Sequence, residues 1–141
     1  CLLTRPPEVT GSSDTEYPMG MDRLLRALGA TVVDWSDKTS CCGASLSLTR
    51  TEIALDLSAR ILAAARAAGA DAVAVACPLC HVNLDARQHQ MDPAARGAGE
   101  VPVLYVTQLM ALAFGLGPEA AALARNMVDP RPLLAQKGLL T

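Results

Sequence analysis

Apolar positions along the chain alternate between a period near 3.6 and short unbroken runs. Across Met19–Leu28, Met21, Leu24, Leu25 and Leu28 fall at helical spacing, and Gly29 supplies a stop. Thr31–Trp35 is short and β-branched, and predicts a strand. Leu48–Ala68 predicts a long Ala- and Leu-rich helix ending at Gly69, with Ile53, Leu57, Ile61 and Ala64 or Ala65 forming its buried face. Asp71–Cys77 is a continuous apolar run, the pattern of a strand covered on both faces of a parallel sheet. Pro78-Leu79-Cys80 opens a helix to about Gln90, with proline in the first turn. Val101–Val106 predicts a further strand, Thr107 a cap, and Gln108–Gly115 and Pro118–Met127 two more helices.

The intervening segments are polar or broken. Thr4–Pro18 carries Pro, Gly, Ser and acidic groups, Ser36–Ser47 contains Cys41-Cys42-Gly43, Asp92–Gly99 is a loop, and Val128–Thr141 reads as an irregular tail. No internal repeat is present. Strands alternating with helices predict an α/β fold: a parallel sheet of about four strands with helices on both faces and right-handed crossovers, in a single domain over residues 1–141. Ligands of such sheets sit beyond the carboxyl ends of the strands. Cys77 ends one predicted strand, Cys41 and Cys42 follow another, and Cys1 is expected to end a first strand. All five cysteines are therefore expected at the carboxyl edge of the sheet.

Composition narrows the function classes. The chain has 141 residues, 51% apolar and 18% charged, with a net charge of -2. It can bury a core, and it has no basic field for nucleic acid or an anionic membrane. Aromatic residues make up 3%, too few for a base-stacking platform. No apolar run reaches the length of a membrane span, and no signal peptide is visible. The chain opens on Cys1 rather than Met, which reads as a piece of a longer polypeptide.

The chemistry lies in the cysteines: Cys1, Cys41, Cys42, Cys77 and Cys80. An odd number excludes a fully paired set of disulfides. Cys41 and Cys42 are adjacent, and adjacent cysteines rarely bridge to each other. Gly43 gives the backbone freedom to turn both toward one centre. Cys77 and Cys80 form a Cys-x-x-Cys pair at a helix start, where the helix N-terminus favours the ligating thiolate. Soft thiolates select zinc, copper(I) or iron–sulfur clusters. Zinc and an ordinary cubane each want four ligands. Five thiolates suit a larger, irregular cluster, or zinc with one spare thiol. A thioredoxin-like redox pair at Cys77 and Cys80 leaves Cys1, Cys41 and Cys42 unexplained. Simple buried thiols do not account for the spacing.

The ordered motifs Cys1-Leu2-Leu3-Thr4-Arg5-Pro6-Pro7, Cys41-Cys42-Gly43-Ala44, Ala76-Cys77-Pro78-Leu79-Cys80-His81 and Val128-Asp129-Pro130-Arg131-Pro132-Leu133-Leu134 resemble the cysteine-rich CCG domain found in the B subunit of heterodisulfide reductase, in its carboxy-terminal copy. The resemblance implies a polypeptide with two copies of the domain. Each five-cysteine set holds a noncubane iron–sulfur cluster built from two fused smaller clusters, and a disulfide substrate is split between the two centres. Carried over by motif, the cluster ligands are Cys1, Cys41, Cys42, Cys77 and Cys80. The implied activity is that of a disulfide reductase. The implied partners are an iron–sulfur subunit of the reductase complex and a small thiol or disulfide substrate, in a cytoplasmic, thiol-reducing setting. For the isolated piece, zinc in place of iron is the alternative, as a structural or electron-relay module without its own substrate.

Around that centre, His81 is a candidate hydrogen-bond or proton donor to a sulfide or a leaving thiolate, or else a helix-surface residue. His89, between Gln88 and Gln90, is expected in solvent. Arg5 is the best candidate cation for a substrate anion, since it lies close to Cys1 and before Pro6-Pro7. Lys38 and Arg50 are expected as surface charges, Arg131 as a docking residue for the tail or a partner, and the five methionines as core filler.

Overall fold

A computed structural model describes residues 6–11, 14, 16–97 and 99–140. Cys1 and Arg5 lie outside the described residues. The helices are α1 (Pro7–Thr10), α2 (Gly20–Ala27), α3 (Thr51–Ala67), α4 (Pro78–His81), α5 (Pro93–Arg96), α6 (Val106–Ala113) and α7 (Arg131–Gln136), and the strands are β1 (Val73–Val75) and β2 (Val103–Tyr105). The strands pair in parallel, with Val73 opposite Val103 and Val75 opposite Tyr105.

Side chains alternate across the two-stranded sheet and build a core on each face. Val73, Val75 and Val103 pack with Ala59, Ile61, Leu62 and Ala65 of α3. Ala72 and Leu104 turn the other way, onto Leu109, Ala111 and Leu112 of α6 and Leu134 of α7. Helices therefore cover both faces, as the unbroken apolar runs predict. Each fully buried Val or Leu contributes on the order of 1.5–3 kcal/mol.

Among the described residues the sheet has two strands, where about four were expected. Of the other two, the strand expected to end at Cys1 lies outside the described residues, and Thr31–Trp35 differs from expectation. Trp35 is extended at φ -159° and ψ 155°. The segment nevertheless forms no ladder. It runs beside β1 across a cavity of about 390 Å³ lined by Val32, Val33, Ala72 and Ala74. Strand propensity needs a pairing partner within about 4.8 Å, and none among the described residues pairs with this segment.

Helix α3 starts at Thr51 rather than Leu48, and its buried stripe is Ala54, Ser58, Ile61, Leu62 and Ala65, with Ala59 beside it. Ile61 and Ala65 hold their expected places, while Ile53 and Leu57 are half-buried. The face rotates because small residues, Ala54 and Ser58, meet the cysteine loop.

The expected helix from Pro78 divides into α4, a π-turn over Val82–Ala86 and a 3-10 turn over Gln88–Gln90. Three buried polar residues explain the division. Asn83 reaches the cysteine loop, Asp85 reaches the tail, and Gln88 bonds the carbonyls of Leu84 (2.8 Å) and Val101 (2.6 Å) and the amide of Val101 (3.0 Å).

Pro118–Met127 is not a helix. Ala122 sits at φ 52°, in the left-handed region. Gln108 holds the turn by donating to the Ala121 carbonyl (3.0 Å) and the Asn126 side chain (2.9 Å). The Oε1 of the same Gln108 caps α6 by accepting the Tyr105 amide (2.9 Å), in place of Thr107. The tail is not irregular: α7 forms with Pro132 in its first turn, where a missing N–H costs nothing.

Candidate functional site

Two segments far apart in sequence bring their sulfurs together. The first is the Cys41-Cys42-Gly43 loop. Gly43 adopts φ 75°, and a Cβ built there would lie 2.9 Å from the Cα of Ala54. The loop therefore rests directly on α3, with no room for a side chain. The Cys42 carbonyl accepts from Ser58 Oγ (3.2 Å) and Asn83 Nδ2 (3.0 Å), which ties the loop from two sides. Cys42 is 2% exposed and belongs to the main core. Cys41 faces solvent, with its sulfur 3.4 Å from the Gly43 amide.

The second segment follows β1. Cys77 is the N-cap of α4, and Cys80 lies one turn further on. The sulfurs of Cys42 and Cys80 are 3.4 Å apart. Two thiolates each about 2.3 Å from one tetrahedral ion sit just under 4 Å apart, so a small widening of this contact would let both sulfurs reach one metal. Cys41, Cys42, Cys77 and Cys80 are all free of disulfides.

The electrostatics favour thiolate at two of them. Contact with the Cys80 thiol lowers the pKa of Cys42 to about 6, with help from the Asn83 amide and against the cost of burial. Cys80 is driven the other way, above its ordinary value, by the same contact and by burial. The contact thus favours thiolate at Cys42 and thiol at Cys80. Cys77 is lowered by the Cys80 amide, with a smaller effect from that of Leu79, as befits a sulfur at a helix N-terminus.

His81 is not a free surface residue. Its ring stacks on Tyr105, with centroids 4.3 Å apart. Its Nε2 lies 3.1 Å from the Val103 carbonyl, an acceptor, and 3.3 Å from the Asn126 side-chain nitrogen, a donor, so the ring is held whichever of its nitrogens carries the proton. A proton-donating role would fall to Nδ1. His89 is exposed, as expected.

The candidate cations turn to local carboxylates. Lys38 is not a surface charge: it pairs with Asp22 at 2.9 Å, both largely buried, and sits 3.9 Å above the Tyr17 ring. Arg50 pairs with Glu52 in solvent at 2.7 Å. Arg131 grips Asp129 through two bonds of 2.8 Å.

The sequence pattern does not single out Asn83, Ser47 or Ser58. Their only signal is faint: polar residues inside runs that otherwise predict buried helix. Among the described residues, no three His, Cys, Asp or Glu side chains converge tightly enough to hold a metal ion. No closed four-ligand set of the kind zinc prefers is present among them, so zinc has no support there. The sulfur donors, their polarisation and the Cys42–Cys80 spacing fit a thiolate-held iron–sulfur group. Among the described residues, no helix is long and apolar enough to cross a membrane.

Comparison with known proteins agrees with this chemistry. Residues 3–85 match the model of the CCG family, described as a cysteine-rich domain. The chain is 33% identical over 138 residues to the B subunit of the ferredoxin/F(420)H(2)-dependent CoB-CoM heterodisulfide reductase of Methanosarcina acetivorans, covering 96% of this chain and 46% of that one. The B subunit of the ferredoxin:CoB-CoM heterodisulfide reductase of Methanosarcina mazei matches with the same identity and coverage: 33%, 96% and 46%. The 8-methylmenaquinol:fumarate reductase membrane anchor subunit of Wolinella succinogenes is 30% identical over 133 residues, covering 94% of this chain and 47% of that one. The chain thus spans about half the length of these relatives.

Proposed function

Because the chain belongs to the CCG cysteine-rich domain family, we propose that it is the iron–sulfur-binding domain of a redox subunit that delivers electrons to a thiol disulfide. The observation that carries this reading is the Cys42–Cys80 sulfur pair, 3.4 Å apart and drawn from segments 38 residues apart. Its relatives named as heterodisulfide reductase subunits support the reaction class.

In this reading Cys41, Cys42, Cys77 and Cys80 hold the group, with Cys1 as the fifth ligand of a noncubane cluster. When bound, the group supplies single electrons and iron sites with affinity for thiolate sulfur. The protein does the rest. Gly43 lets the loop seat on α3, Asn83 and Ser58 fix the Cys42 backbone, and burial shields the Cys42 sulfur from water. Exposed Cys41 marks the side open to a substrate or partner, Arg5 is assigned to a substrate anion, and His81 Nδ1 is the proton donor. Other subunits of a reductase complex supply the electrons. A cytoplasmic, reducing compartment suits the free thiols.

Anaerobic purification of the intact polypeptide, with assay of iron, acid-labile sulfide and zinc, tests this directly. Iron and sulfide are expected together. Their absence after reconstitution would sink the reading.

The relative named as a fumarate reductase membrane anchor subunit favours a second reading, in which the domain relays electrons without a disulfide substrate. Turnover of a small disulfide with a reduced viologen dye separates the two. A loaded protein that takes up electrons but never consumes disulfide is a relay.

A further inference from the structure

Asn83 sits in the π-turn that follows the Cys-x-x-Cys pair and is 1% exposed. Its Nδ2 lies 3.0 Å from the Cys42 carbonyl and 3.7 Å from the Cys42 sulfur. Its Oδ1 accepts from Ser47 Oγ at 2.9 Å. The orientation of the amide follows from its neighbours: a backbone carbonyl only accepts, so the nitrogen must face Cys42. Every polar atom of this buried side chain thus points at the cysteine loop. Ser58 already donates to the same Cys42 carbonyl at 3.2 Å. Satisfying that carbonyl therefore does not by itself call for Asn83. Beyond the carbonyl, Asn83 adds a side-chain N–H directed at sulfur, beside the backbone amide of Ala44. A π-turn is an uncommon way to present a side chain, and such turns concentrate at functional sites.

We infer that Asn83 is a positioning residue: it holds the Cys42 sulfur in place and, by donating an N–H to it, favours the reduced state of the group bound there. The inference rests on the iron–sulfur reading above. Reduction adds one electron, part of whose charge falls on the ligating sulfurs. An N–H donor stabilises that charge more strongly than the smaller charge of the oxidised state. Hydrogen bonds to ligating sulfurs are one of the protein's levers on reduction potential. Burial strengthens the effect, since little water competes for the sulfur.

The test uses the intact polypeptide, reconstituted anaerobically with iron and sulfide, in four forms: parent, Asn83→Leu, Asn83→Asp and Ser58→Ala. Iron and sulfide content, circular dichroism and a mediated redox titration are measured on each. All four are expected to fold and load. At a fixed solution poise, the ratio of reduced to oxidised centre is expected to fall about tenfold in both Asn83 variants, a shift of about 59 mV for a one-electron couple. Ser58→Ala loosens the same loop but keeps the N–H on sulfur, so any shift in its ratio should be well below that of the Asn83 variants. An unchanged ratio in Asn83→Leu and Asn83→Asp would overturn the inference. So would an equal shift in Ser58→Ala, or folded Asn83 variants that no longer load. A parent that binds no iron is a different failure: it removes the iron–sulfur reading itself.

Discussion

The carboxylate of Asp85 accepts the backbone amides of Met127 at 2.7 Å and Val128 at 3.2 Å, and Asp85 is 2% exposed. One buried side chain thus anchors the carboxy-terminal segment to the turn that follows the cysteines. Asp85→Ala leaves two amides without an acceptor, at an expected cost of about 2–4 kcal/mol. Urea unfolding measures it. Hydrogen exchange should quicken across Arg131–Gln136 while β1 stays protected. Uniform exchange across the chain would show that the tail is held elsewhere.

At Gly43 the cysteine loop lies against α3 with no space for a side chain. In Gly43→Ala the new methyl meets the Cα of Ala54 at 2.9 Å, a backbone atom that cannot turn aside, with φ at 75°. The left-handed conformation and the overpacking together should cost about 3 kcal/mol. Iron content after reconstitution should fall with stability, because the displaced loop carries Cys41 and Cys42. Full loading in this variant would show that the loop tolerates the shift.

The Cys42 thiol sets a pH dependence in the metal-free chain. Its pKa is about 6 when folded, against an ordinary value of 9.0. From about pH 6 to about pH 9 the unfolded chain therefore binds the extra proton, and stability rises with pH. The contribution is lost as pH falls through 6. Above 9, Cys80 keeps its proton longer than an ordinary thiol and reverses the slope. The difference in urea midpoint between the parent and Cys42→Ser, followed from about pH 5.5 to about pH 8.5, isolates this pair from other titrating groups. A pH-independent difference would contradict the thiolate assignment.

Ala122 adopts φ 52°, a conformation that disfavours any Cβ-bearing residue by about 1–2 kcal/mol. Ala122→Gly relieves that cost and adds some freedom to the unfolded chain. A net gain of about 1 kcal/mol is expected, read as a higher urea midpoint at unchanged slope. A loss would mean that the Ala122 methyl packs usefully.

The legible features were those carried by apolar runs and cysteine spacing. β1 and β2 emerge from Asp71–Cys77 and Val101–Val106, and α4 starts at the proline between Cys77 and Cys80. The features that escaped depend on partners distant in sequence. Thr31–Trp35 has strand propensity but pairs with no strand among the described residues. The Ala-rich Pro118–Met127 has helix propensity, yet the Gln108 side chain takes the Ala121 carbonyl and the chain turns at Ala122. Lys38 reads as a surface charge until Asp22 is found 2.9 Å away. Asn83 and Asp85, two positions apart, face opposite partners because the segment is buried on both sides. No local pattern distinguishes such a segment from an exposed polar one.

Cys42 is at once a member of the hydrophobic core and one of the candidate ligands. A reagent or cofactor-delivery protein cannot reach so enclosed a sulfur in the closed fold. If the chain holds the proposed group, insertion must accompany folding or wait for the loop to lift from α3, and the frequency of that opening sets a ceiling on the loading rate. Maturation of this domain is then gated kinetically by its own packing. Release obeys the same gate, so a chelator present in large excess would strip the group no faster than the loop opens.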